Sequence, residues 1–215
     1  MQPAQAARQT YQYFSTLEGN QHIASIYALE KIVALAQRYQ VKTVLEVGLG
    51  IGSISHALLS HANATGRTLR YIGTEANEFC LQALPRNLQA DFSKIELYSN
   101  IEQVPTDARP DLIIVDGSDA TLAKLQALAA PGAILFVEGF RGEQVRSLQS
   151  YFPQALSVET ISAFKNPAGG PFPTDKWAGG GRIIFTQPTG TQRRQYWAEK
   201  ITTSLRYRLW RRLKG

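Results

Sequence analysis

Residues 44–55 read Val-Leu-Glu-Val-Gly-Leu-Gly-Ile-Gly-Ser-Ile-Ser, and their reading decides the fold. An apolar, β-branched run carrying Glu46 breaks into glycines at alternate positions, Gly48, Gly50 and Gly52. Ser53 to Leu59 then resumes with helical spacing. The pattern predicts a buried strand, a tight turn and the start of a helix. Glycine is needed where backbone takes positive φ, or where a ligand must come closer than a Cβ allows. The helix start offers N–H groups that have no intrahelical acceptor.

Outward from this stretch, strands and helices alternate. Gln5 to Tyr39 is predicted helical in two segments broken near Leu17-Glu18-Gly19-Asn20, ahead of the strand Val41 to Val47. Further strands are expected at Leu69 to Thr74, Ile95 to Tyr98, Asp111 to Val115 and Ala133 to Val137. Helices are expected at Asn77 to Leu88, Leu122 to Ala130 and Gln144 to Tyr151. Strands apolar throughout, alternating with helices, specify a parallel sheet covered on both faces. Leu156 to Phe164 and Arg182 to Thr186 have no crossover helix between them, so they are most simply antiparallel. The expected fold is α/β: a Rossmann-like, doubly wound, seven-stranded and mostly parallel sheet with an antiparallel last strand. The chain divides into amino-terminal helices (1–40), a core (41–190) and a basic carboxyl-terminal helix (191–215).

The totals agree with one soluble domain. The chain has 215 residues, 44% hydrophobic and 19% charged, and no apolar run approaches the roughly 20 residues that span a bilayer. No secretion signal is read in Met1 to Thr10. Cys80 is the sole cysteine, which excludes an intrachain disulfide and points to a cytoplasmic, reducing compartment. The net charge of +6 divides unevenly: residues 191–215 hold eight Lys and Arg against Glu199 alone, leaving the rest near neutral.

Ligands of open parallel sheets bind beyond the carboxyl ends of the strands. The residues expected there are the glycine turn, Glu75, Ser99-Asn100, Asp116 to Asp119, and Glu138 to Arg141. Glu75 ends the strand after the turn, where a carboxylate accepts hydrogen bonds from a ribose; a helix-capping acid is the alternative. NAD and S-adenosylmethionine proteins share this plan. A dinucleotide fingerprint would put its third glycine at position 53, where Ser53 stands. Glu46, beside the turn, is unwelcome next to a pyrophosphate and compatible with an ammonium. The pattern favours a ligand with a methionine-like zwitterion.

On Val44–Gly52, Tyr71–Asn77, Asp111–Asp119 and Pro131–Glu138, the sequence resembles the class I S-adenosylmethionine-dependent methyltransferases over roughly residues 15–187. The resemblance implies Gly48, Gly50 and Gly52 beside the methionine end of S-adenosylmethionine, Glu75 on its ribose, and Ala76, Ser99 and Asn100 near adenine, while Glu46 is counted with the cofactor site on its position beside the turn. Leu17 to Gln21 and Asp111-Leu-Ile-Ile-Val-Asp116-Gly are most similar to the small-molecule O-methyltransferases of the catechol and caffeoyl-CoA type. Those enzymes hold a divalent cation with an aspartate and a later Asp-Asn pair; here Asp116 is present, and Glu138-Gly139 stands for the pair. Asp116 and Glu138 are thus the candidate ligands of Mg²⁺ or another divalent cation, and without one Asp116 or Asp119 would serve as base.

Two features lie outside the core pattern. Residues 166–181, rich in Gly and Pro, are a candidate substrate lid, with Phe172, Trp177 and Lys176 toward a small-molecule acceptor; an ordinary connection is the other reading. In the tail, Trp197, Ile201, Leu205, Leu209 and Leu213 recur every four residues among Arg193, Arg194, Lys200, Arg206, Arg208, Arg211, Arg212 and Lys214. That helix could dock on the body, pair with a second subunit in a homodimer, lie peripherally on an anionic membrane, or meet an acidic partner; nucleic acid ranks lower. The sequence therefore reads as a methyltransferase of small-molecule oxygen. An RNA or protein methyltransferase, an aminopropyltransferase-like enzyme and a non-catalytic cofactor-binding protein are the alternatives.

Overall fold

The computed structural model describes residues 1–207. Arg208, Leu209, Arg211, Arg212, Leu213 and Lys214 of the tail pattern lie outside the described residues. Helices α1 (Pro3–Phe14) and α2 (Ile26–Arg38) precede β1 (Thr43–Val47), α3 (Ser53–Ala64), β2 (Arg70–Thr74), α4 (Glu78–Leu88) and β3 (Ile95–Tyr98). There follow β4 (Leu112–Val115), α5 (Leu125–Leu128), β5 (Ile134–Glu138), α6 (Gly142–Tyr151), β6 (Leu156–Ile161), β7 (Gly180–Phe185) and α7 (Gly190–Leu205).

The seven strands form one sheet in the order β3-β2-β1-β4-β5-β7-β6. All neighbours are parallel except β7, which is antiparallel to both β5 and β6. Successive side chains of a strand point to opposite faces, and both faces are buried. Val44, Leu112, Ile114, Ile134 and Phe136 pack with α1 to α4. Leu45, Val47, Ile113, Val115, Leu135 and Val137 pack with Leu125, Leu128, Val145 and Leu148 of the opposite layer. That two-sided burial is why these strands read as continuous apolar runs.

Local signals set several boundaries. The Ser25 side chain caps α2 by accepting from the Ala28 amide at 3.2 Å, and Asn77 caps α4 by accepting from Cys80 at 3.1 Å. Two expectations need correction. The helix expected over Leu122 to Ala130 is a 3₁₀ turn (Leu122–Lys124) followed by the single turn α5. Gly180 and Gly181, read as loop, belong to β7. A Cβ on Gly181 would stand 2.6 Å from the Phe136 ring, and one on Gly180 2.8 Å from the Thr160 carbonyl oxygen. Glycine at these two positions is a consequence of close strand packing.

Helix α7 starts with a capping box between Thr189 and Gln192 and lies against β6 and α2. Gln192 donates to the Gly132 carbonyl at 2.8 Å, Thr203 to the Glu159 carbonyl at 2.8 Å, and Lys31 pairs with Glu199 at 2.6 Å. Among the described residues, no helix is long and apolar enough to cross a membrane.

Candidate functional site

A cavity of about 580 Å³ opens at the carboxyl ends of β1, β2, β4 and β5. Gly48, Gly50, Glu75, Ala76, Ser99, Asp116, Asp119, Glu138, Phe172, Lys176 and Trp177 all line it. Three residues that the sequence placed at the site are not on its wall: Glu46, Gly52 and Asn100.

The physical reasons differ. Glu46 points into the sheet's helix-covered face, is 0% exposed, and accepts a short hydrogen bond from the Tyr71 hydroxyl. Burial pushes its carboxyl well above the ordinary range, against the opposing hydrogen bond from Tyr71, and Asp116 and Glu75 add to the rise. Burial thus opposes its charge, and the carboxyl stands off the cavity wall. Gly52 begins α3 at φ +99°, where a Cβ would meet Leu88 at 3.0 Å, so it serves the packing of α3 on α4. Asn100 turns its side chain to cap a short 3₁₀ turn, accepting from Gln103.

Gly48 and Gly50 line the cavity at φ +86° and +54°. A Cβ on Gly48 would lie 2.6 Å from the Gly117 backbone, and one on Gly50 2.6 Å from the His22 carbonyl oxygen. The turn is thus pressed between the end of β4 and the segment before α2. Across it, Glu75 binds the turn directly: Oε2 accepts from the Gly50 amide at 2.7 Å, while Oε1 accepts from Ala76 and Asn77 at 2.8 Å each. Three N–H donors hold the carboxylate in one orientation and leave lone pairs toward the cavity.

On the other side of the turn stand Asp116 and Glu138. Burial, and then the charge of Glu138, push the Asp116 carboxyl up to about 8, although Arg141 pulls it down. Burial also raises Glu138, opposed chiefly by Arg141. The Arg141 guanidinium ties the pair together: Nη2 lies 3.3 Å from Asp116 Oδ1 and donates to the Asp116 carbonyl, and Nε donates to the Glu138 carbonyl at 3.1 Å. Asp119 is different. Burial alone would raise it, but bonds from Thr121 (2.7 and 2.5 Å) and the Ile101 amide (3.0 Å) outweigh that and hold it below the ordinary range. It orders the loop and is a poor base.

This donor set does not fit a resident divalent cation. Among the described residues no three His, Cys, Asp or Glu are grouped to hold one, whereas Mg²⁺ and Ca²⁺ ask for several oxygen ligands. The Arg141 guanidinium already stands 3.3 Å from Asp116 Oδ1. The metal role read for Asp116 and Glu138 thus lacks a third protein ligand among the described residues.

The 166–179 segment is strapped over the cavity. Lys165 and Trp177 form an antiparallel bridge, and the Asn166 amide donates to the Lys176 carbonyl at 2.9 Å. Phe172 stacks on Tyr11 of α1, centroids 6.4 Å apart. Gly170 is needed there because a Cβ would come 2.2 Å from the Tyr11 hydroxyl. Sequence reasoning did not single out Ser25 or Cys80, which also line the cavity. Ser25 carries a helix-cap signal that says nothing of a site. The Cys80 thiol, pushed up to about 11 by burial, is unreactive at neutral pH.

No family model matches the chain, and no curated protein does. Solved structures do. Cofactor-bound Rv0187 from MTB is 18% identical, with 87% of this chain and 91% of that one covered at a TM-score of 0.57. An O-methyltransferase from Bacillus cereus in complex with SAH is 15% identical, covering 84% and 90% at 0.56. A tRNA (m1A58) methyltransferase from Aquifex aeolicus is 16% identical, covering 74% and 69% at 0.52. At such identities the likeness establishes the fold, the Rossmann-like fold of the S-adenosylmethionine-dependent methyltransferases.

Proposed function

We propose that the chain binds S-adenosylmethionine in this cavity and methylates an oxygen of a small molecule without a resident metal. The carrying observation is the placement of Gly48, Gly50 and Glu75 on one wall with the partly buried Asp116–Glu138–Arg141 cluster across the turn. When bound, S-adenosylmethionine would supply an electrophilic methyl group on a sulfonium, an O–CH3 bond forming as the CH3–S bond breaks and the neutral thioether leaves.

Glu75, held by three backbone amides, orients ribose hydroxyls through its remaining lone pairs. A wall that carries Glu75, Asp116, Asp119 and Glu138 favours a cationic ligand. Asp116, with a carboxyl near 8, accepts the acceptor's hydroxyl proton as pH rises toward that value. Arg141 keeps that carboxylate from drifting further up. Lys176 and Trp177 line the same cavity and offer a polar and a stacking contact, which suits a small acceptor enclosed under a strap. In-line placement supplies much of the rate in such a transfer.

The test is calorimetry with S-adenosylhomocysteine, followed by mass-spectrometric screening of hydroxylated acceptors with and without EDTA. Binding that Glu75→Ala weakens, and turnover indifferent to EDTA, support the reading. Failure to bind S-adenosylhomocysteine, or turnover on RNA or protein alone, overturns it.

A further inference from the structure

Helix α7 is docked inside out. Its body-facing side chains are polar apart from Tyr196, which packs on the core: Gln192, Gln195, Glu199 and Thr203 bond to Gly132, Tyr39, Lys31 and Glu159. Its apolar side chains face away, with Trp197 57%, Ile201 58% and Leu205 48% exposed. These three lie at i, i+4 and i+8, one stripe along the helix. Most amphipathic helices turn the apolar stripe to the core and leave charges to water. Here the polar side already holds the helix to the body, so burial of the stripe is not a requirement of the fold.

The charges on the outward side are of one sign. Arg193, Arg194 and Lys200 are exposed, and Lys200 lies 5.0 Å above the Trp197 ring. The only acid of residues 191–215, Glu199, is turned inward against Lys31. The surface presented is therefore apolar and cationic, with no carboxylate among the described residues of this helix.

We propose that this face of α7 is a docking surface for an anionic lipid bilayer. An interfacial helix buries an apolar stripe at the headgroup–acyl boundary while flanking Lys and Arg meet anionic headgroups, with Trp suited to the boundary itself. A second copy of the chain matches poorly, because a two-fold pairing on this face would set cationic helix against cationic helix.

Co-sedimentation of the full chain with phosphatidylcholine vesicles, with and without phosphatidylglycerol, tests this. Retention on the anionic vesicles that falls with added salt is expected. Ile201→Glu with Leu205→Glu should weaken it at least about tenfold, and Arg193→Gln and Arg194→Gln about fivefold each. Both glutamine positions are exposed and remote from the cavity, so S-adenosylhomocysteine affinity should stay unchanged, which separates this proposal from the cofactor reading. No retention, equal retention on neutral vesicles, or retention indifferent to these substitutions overturns it. So does self-association, or RNA binding tighter than vesicle binding, that the same substitutions abolish.

Discussion

The Gly50 amide donates to the Glu75 carboxylate across 2.7 Å, joining the turn after β1 to the end of β2. Because two further amides share that carboxylate, the acid organises the cavity wall even before it meets a ligand.

Replacing Glu75 should therefore act on two measurements. Charge-assisted hydrogen bonds are worth about 1.5–3 kcal/mol, so Glu75→Ala should weaken S-adenosylhomocysteine binding by about 10–100-fold in calorimetry. It should also lower the melting temperature, since three N–H groups lose their acceptor. Unchanged affinity would mean that ribose does not meet this carboxylate.

The buried Tyr71–Glu46 pair makes a different prediction. Tyr71→Phe leaves Glu46 without its donor, at a cost of about 1–3 kcal/mol. Exchanging both, Tyr71→Phe with Glu46→Leu, should recover much of that loss, because apolar replacement of both partners removes the unmet polar group. Chemical denaturation of the two variants decides it; additive losses would contradict the pairing.

Asp116 should couple stability to pH. Its folded carboxyl stands near 8 against an ordinary 3.8, so between these values the folded chain holds a proton that the unfolded chain has lost. Stability then falls as pH rises through that window. The contribution is complete below about pH 4 and gone above about pH 8. Asp116→Asn should flatten the decline in melting temperature between pH 5.5 and 8.5, and an identical slope would refute the assignment.

Arg141 lowers the Asp116 carboxyl, so Arg141→Gln should move the alkaline rise of methyl transfer to higher pH while sparing S-adenosylhomocysteine affinity. A simple drop in rate with an unmoved pH profile would assign Arg141 to structure alone.

At the far end of the strap, Gly179 takes φ +70°, and a Cβ there would fall 2.1 Å from the Ser25 hydroxyl. Gly179→Ala should destabilise by more than about 1 kcal/mol and open residues 166–179 to protease. Ser25→Ala removes the hydroxyl but leaves its Cβ 2.6 Å from the new methyl, and it removes a helix cap, costing about 1 kcal/mol by itself, so the double variant should not regain wild-type stability.

By itself, the sequence determined the layered sheet, the reversed strand and the turn between β1 and α3. Each is carried by a signal along the chain: apolar runs of strand length, alternate glycines, cap residues, a connection too broken for a helix. It also brought Glu75, Asp116, Asp119 and Glu138 to the correct end of the sheet, because parallel topology sends every strand terminus there. Only the tertiary structure decided what those side chains do. Glu46 reads like a site acid until the pleat turns it onto Tyr71. Asp119 and Asp116 read alike until Thr121 and Ile101 claim one and Arg141 the other. Ile201 belongs to a stripe that could face inward or outward until Gln192, Glu199 and Thr203 dock the opposite face. Period and spacing encode an element's type, but its facing and a carboxylate's partners depend on residues distant in sequence, and proximity in three dimensions sets their charge.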